Sequence, residues 1–146
     1  MIYKQTVNIK NRNIEEVIDS FHRIDFIKFL ISFQPVKIIK WDGIENDLIA
    51  NLKFWLLKWH SFEVIHKNYK RTSTSLSFVD KGITLPFGIT DWNHLHEVRY
   101  SNEKIIIKDS IEFKHRYYFF EFMLYPILIS PIIMRKFLYK IYFKRN

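Results

Sequence analysis

His94 and His96, one residue apart, and Asp109, set in the middle of an apolar row, are the residues whose types and spacing could do chemistry. Side chains alternate across a strand, so Trp92, His94, His96, Val98 and Tyr100 share one face. Ile105, Ile107, Asp109, Ile111 and Phe113 share a face of the next strand. Both sets are mostly apolar and should point inward. A turn centred on Asn102-Glu103 puts Tyr100 opposite Ile105, Val98 opposite Ile107 and His96 opposite Asp109. Directly opposed Cβ atoms lie about 4.5–5.5 Å apart, close enough for these side chains to hydrogen-bond. A carboxylate in an apolar wall is costly unless paired, and His96 is the partner that this register supplies. Three chemistries are open to such a pair. It can fix register and polarity inside a sheet, act as the polar anchor of an apolar cavity, or serve as a general base tuned by a carboxylate. The His94-x-His96 spacing also suits a metal, but no third ligand is identifiable. The nearby His60-x-x-Glu63-x-x-His66 falls in an expected strand, where these offsets alternate sides and do not converge.

The elements that must position these residues follow from periodicity. Residues 2–10 alternate and read as a first strand, with Ile2, Val7 and Ile9 apolar beside Lys4, Asn8 and Lys10. Asn11-Arg12-Asn13 offers a helix N-cap, with Glu15 and Glu16 where the helix dipole favours acids. Ile14, Val17, Ile18 and Phe21 form the apolar face of that helix. A second short helix, about 25–33, ends before Pro35. Antiparallel strands are then expected at 36–41, 45–51, 52–59, 61–69, 72–79, 90–100 and 104–113, punctuated by turn residues such as Asp42-Gly43 and Lys81-Gly82. Residues 116–145 return to helical periodicity. The run Phe119 to Met134 is strongly apolar but holds Glu121, Pro126, Ser130 and Pro131, whereas a membrane span needs roughly 20 predominantly apolar residues. A long helix, kinked or broken at the prolines and packed on the sheet, is the expectation. In its last turns Lys136, Lys140 and Lys144 share one face, and Met134, Phe137, Leu138 and Ile141 the other.

The whole chain, 1–146, therefore reads as a single α+β domain. Fourteen Phe, eight Tyr and four Trp stand beside three Gly and a single Ala. Large flat side chains without small fillers line or loosely surround a cavity, unless the gene's base composition alone produced the bias. The net charge of +8 is scattered, apart from a denser region at Arg135-Lys136, Lys140 and Lys144-Arg145, so it does not form the stripe of a nucleic-acid binder. The dense region would suit an anionic membrane surface or an acidic partner. Without cysteine, disulfides and thiolate chemistry are excluded. The first residues lack the apolar stretch of a signal peptide, and a cytoplasmic location is expected.

The order Phe78-x-Asp80, Pro86-Phe87, Trp92-x-His94-x-His96 and Asp109-x-Ile111-x-Phe113 resembles the motif of a bacterial ligand-binding branch of the SRPBCC superfamily, the START, polyketide cyclase and Bet v 1-like helix-grip proteins. The element order is similar over essentially the whole chain, the specific motif only over residues 78–113. The resemblance implies a curved seven-stranded antiparallel sheet around a long C-terminal helix, with two short helices after the first strand and a hydrophobic cavity inside. By motif position it implies ligand-binding roles for Phe78, Asp80, Phe87, Trp92, His94, His96 and Asp109. Leu85 replaces the glycine before Pro-Phe, Glu97-Val98 replaces an aromatic after the second histidine, and Phe113-Lys114-His115 lacks a proline; these departures bear on the cavity's mouth and volume.

The reading taken from the sequence is a small-molecule binding protein for a lipid-like or aromatic apolar ligand, non-catalytic, with no cofactor and no metal. Its alternatives are a cyclase, dehydratase or hydrolase using His94 or His96 with Asp109 or Asp80, and a membrane-surface or partner-binding protein working through the basic C-terminal helix. Fold membership does not decide among carriers, sensors and enzymes.

Overall fold

The computed structural model describes residues 1–145. Seven strands form one antiparallel sheet in the order β1-β7-β6-β5-β4-β3-β2. They are β1 (Ile2–Ile9), β2 (Val36–Trp41), β3 (Ile49–Leu56), β4 (Lys58–Arg71), β5 (Ser75–Thr84), β6 (Ile89–Ser101) and β7 (Lys104–His115). Between β1 and β2 lie α1 (Ile14–Ser20) and α2 (Ile24–Ile31), and α3 (Tyr118–Arg145) ends the chain. The fold class is as expected: a helix-grip α+β domain in which α3 packs on β1, β7 and α2.

Local chemistry explains the boundaries. Asn13 caps α1 by accepting a hydrogen bond from the Glu15 amide at 2.7 Å, and Glu15 and Glu16 occupy the first turn. In β1 the inward set is Gln5, Val7 and Ile9, while Ile2 is exposed, because a period of two from Val7 reaches Gln5 and not Ile2. The strands expected at 45–51 and 52–59 are differently divided. Residues 42–48 form a connection, and the reversal into β4 falls at Leu57, which takes φ 64° without any glycine or asparagine to announce it. The next reversal lies at 72–74 rather than between the expected strands 61–69 and 72–79, because β4 continues through Arg71 with a register shift between Lys67 and Lys70.

The helix α3 runs through both prolines without a break. Pro131 cannot donate to the Ile127 carbonyl, and the Ser130 hydroxyl donates to that oxygen instead, at 3.3 Å. By length and composition α3 could cross a membrane, and 33% of its most apolar stretch is buried against the rest of the protein. Its last turns bury Leu138, Tyr139, Tyr142 and Phe143, leaving Phe137 and Ile141 exposed beside Lys136, Lys140 and Lys144. The buried face is thus rotated from the one expected. Tyrosines can occupy it because their hydroxyls find partners: Tyr142 accepts from Arg23 at 2.8 Å, and Tyr139 donates towards Asp109 at 3.5 Å.

The apolar core forms two clusters. One gathers Phe21, Phe26, Leu30, Phe78 and Tyr139, and the other Trp92, Ile111, Phe113, Leu128 and Ile132. Burial of each large apolar side chain contributes about 1.5–3 kcal/mol. The space bordered by both clusters holds the candidate site.

Candidate functional site

Strands β5, β6 and β7 bring the polar residues together. The β6–β7 register places His96 opposite Asp109, and the β5–β6 register places Phe78 opposite His96 and Asp80 opposite His94. Asp109 is 1% exposed, inside the sheet's concave face. The hydrogen bonds, however, run diagonally rather than straight across. His94 Nε2 donates to Asp109 Oδ1 at 2.9 Å, and His96 Nε2 donates to Asp80 Oδ2 at 2.9 Å. His96 Nδ1 lies 3.3 Å from Asp109 Oδ1 but is misdirected for a hydrogen bond. The two imidazoles sit with centroids 3.7 Å apart, and Phe78 stacks on the far side of His96 at 4.5 Å. The expected pair of His96 with Asp109 is present as a 3.3 Å ion pair, and the two best-formed hydrogen bonds run across it, His94 to Asp109 and His96 to Asp80.

Each carboxylate has further donors. His66 Nδ1 donates to Asp80 Oδ1 at 2.8 Å, and Gln5 Nε2 donates to Asp109 Oδ2 at 2.9 Å and to the Ile132 carbonyl at 2.8 Å. Gln5 therefore ties β1, β7 and α3 at one point. Burial raises the Asp80 and Asp109 carboxyls, but the histidine hydrogen bonds and charge outweigh it and hold both well below the usual carboxylate range. The histidines are pushed apart. Burial lowers His96, yet the Asp80 and Asp109 carboxylates bring it up to about 8. Burial and the neighbouring His96 charge take His94 down to about 4. At neutral pH His96 is an imidazolium between two carboxylates, and His94 is neutral with its proton on Nε2.

A cavity of about 560 Å³ opens in front of this cluster, between the sheet and α3. Phe62, Val64, Trp92, Leu128 and Ile132 make its apolar wall, and Asp80, His94, His96, His66 and Arg135 its polar one. Its rim includes Phe33, Trp55 and Ile127, which are 70%, 49% and 39% exposed, so the cavity opens at an apolar edge. Of the motif residues, Phe78, Asp80, Trp92, His94 and His96 line the cavity. Asp109 does not; it stands behind the histidines. Phe87 does not line it either. It sits in the β5–β6 turn at φ 58°, against His60 and Phe54, with ring centroids at 4.3 and 5.7 Å.

The roles of four contributors escaped sequence reasoning. His66 lies directly opposite Asp80, but the bulge near Lys67 hid that register. Gln5 was legible in the alternation of β1 once Val7 and Ile9 are taken as inward. Arg135 and Tyr139 depend on the rotation of α3, which apolar side chains beyond the buried face conceal. Asp80 is also the third group missing from His94-x-His96 as a metal pair, since one ligand atom from each falls within 4.8 Å of the others. A cation there would have to displace the proton that His96 holds between the carboxylates.

No protein-family model matches the chain, and no curated protein matches it. Solved structures do. A norcoclaurine synthase point mutant from Thalictrum flavum aligns over 99% of this chain and 94% of its own, with a TM-score of 0.68 at 14% identity. Ara h 8.0201 aligns over 100% and 99%, with a TM-score of 0.54 at 11% identity. The hypothetical protein jhp0584 from Helicobacter pylori aligns over 79% and 70%, with a TM-score of 0.59 at 10% identity. The chain has the helix-grip fold that these structures share. At these identities the helix-grip likeness speaks for architecture, and the chemistry rests on this chain's own residues.

Proposed function

We propose that this helix-grip domain, of the bacterial ligand-binding type its motif resembles, is a cytoplasmic, non-catalytic binder of a lipid-like or aromatic small molecule. The observation that carries the reading is the cavity itself. Its wall is mostly apolar, it opens at an apolar rim, and it ends at a small polar cluster, the usual make-up of a ligand pocket. The ligand's body lies along Trp92 and Phe78, and its polar end meets Asp80, His94 or His96. Asp109 supports those histidines from behind, and Phe87 shapes the turn beside the cavity. Native mass spectrometry of the purified protein, followed by solvent extraction, tests this. A discrete co-purifying mass is expected. An apo mass that no fatty acid or aromatic polyketide shifts would overturn the reading.

A catalytic reading is favoured by one observation, two adjacent histidines at the cavity, 3.7 Å between ring centroids, whose environments push their proton affinities apart. In it His96 is the acid and neutral His94 the base. A structure of the same fold is a norcoclaurine synthase, solved with dopamine and hydroxybenzaldehyde, with a TM-score of 0.60 at 15% identity. Recovery of an added carbonyl ligand in chemically altered form, lost in His94→Gln, would establish turnover.

A membrane-surface role is favoured by exposed Phe137 and Ile141 amid Lys136, Lys140, Lys144 and Arg145. Binding to anionic vesicles should then fall with salt and drop about tenfold or more in the Lys140→Glu/Lys144→Glu double variant. Unchanged binding would remove that reading.

A further inference from the structure

Arg135 is the unexplained charge of the cavity wall. It projects from α3 between Pro131 and Tyr139, both also at the cavity, and forms no ion pair among the described residues. Its Nε is buried and has no hydrogen-bond partner. The half-buried guanidinium has the Tyr139 hydroxyl for a neighbour but no counter-charge, and its Nε–H lacks an acceptor, which is costly away from water. The nearby acids are already engaged. Asp80 takes donors from His66 and His96, and Asp109 from His94, Gln5 and Tyr139. Other polar groups at the cavity are satisfied internally. The Gln34 amide donates to the Leu30 carbonyl at 3.1 Å, and the Ser130 hydroxyl to the Ile127 carbonyl at 3.3 Å. What the cavity offers an incoming molecule is therefore an apolar wall and one planar fork of donors. That fork matches a carboxylate, which can accept two parallel N–H groups from it.

We infer that the ligand is an amphiphile bearing a carboxylate, held by the Arg135 guanidinium, with its apolar body along Phe62, Trp92 and Leu128. This rests on the binding reading above and narrows it to anionic ligands. Neutral sterols, alcohols and esters of similar shape are discriminated against because they leave the guanidinium without a counter-charge.

The test compares dodecanoate with dodecanol and methyl dodecanoate, by displacement of the uncharged fluorophore N-phenylnaphthylamine. Wild type should bind the acid about tenfold or more tightly than either neutral analogue. Arg135→Met should bind all three within about twofold of one another, with its affinity for dodecanol close to that of wild type. Arg135→Lys keeps the charge but not the fork, and should retain a reduced preference. Equal binding of acid and alcohol by wild type would overturn the inference while leaving an apolar pocket in place, as would a full preference surviving in Arg135→Met. If neither the fluorophore nor any of the three lipids binds, the pocket reading itself falls, and the carboxylate site with it. Should Arg135→Met fail to fold, Arg135→Lys decides, and an acid preference identical to that of wild type overturns the inference.

Discussion

Crossing the hydrogen bonds among Asp80, His94, His96 and Asp109 makes the four residues interdependent. His96→Ala leaves Asp80 with His66 alone, and should cost about 1–3 kcal/mol in urea unfolding. Asp109→Ala strands the donors of His94 and Gln5 together and should cost more, about 3–5 kcal/mol, the range for breaking a buried ionic group's partnership. An Asp109→Ala loss below that of His96→Ala would contradict the geometry. The pH dependence follows from the same cluster. His96 is raised from 6.5 to about 8, so its contribution is complete below pH 6.5 and is lost as pH rises through 8. His94 is lowered from 6.5 to about 4, so its neutral form favours the fold above pH 6.5, and that advantage disappears as pH falls through 4. The depressed carboxylates contribute above their ordinary 3.8 and lose that contribution at still lower pH. Thermal melts should therefore show greatest stability near pH 6.5, with losses on both sides. His96→Gln should flatten the alkaline limb, and an alkaline limb that persists in that variant would assign it to another group.

At the scale of elements, the reversal between β3 and β4 stands out. Leu57 holds φ 64° and is 89% exposed, a conformation that costs a branched L-residue about 1–2 kcal/mol. Leu57→Gly should raise the denaturation midpoint, adding about 0.5–1 kcal/mol once the extra freedom of glycine in the unfolded chain is subtracted. A fall instead would mean that the leucine side chain is held by contacts its exposure hides. The same residue shows where sequence reading reaches its limit. Strict alternation in β6 and β7, joined by a short polar turn, was enough to place His96 opposite Asp109. Alternation could not reveal a turn built on leucine, nor the bulge that brings His66 to Asp80. It also could not reveal which side of α3 is buried, because the first turns of that helix are apolar on every side and the last turns carry apolar side chains on more than the buried face. Asp80, Trp92 and both histidines at the cavity were legible in type and spacing; Arg135 and Gln5 became significant only when α3 and β1 closed over them.

For the molecule as a whole, the cavity is the product of three layers that do not quite meet: the concave sheet, the pair α1–α2 and the long helix α3. Ala50 lies on β3 at the cavity wall, where a larger side chain would project into space rather than into packed atoms. Ala50→Phe should fold with a stability within about 1–2 kcal/mol of wild type and lose ligand binding, readable by fluorophore titration. Retained binding would move the ligand elsewhere. The sheet order carries a further consequence, for the time course of folding. β1 hydrogen-bonds only to β7, and Gln5 meets Asp109 across 104 residues of chain. β1 thus leaves the ribosome well before β7 and waits for it before it has a neighbour. Such a high contact order sets folding on the millisecond-to-second scale. Throughout that interval the edge of β7 that β1 will cover stays open to whatever strand reaches it first.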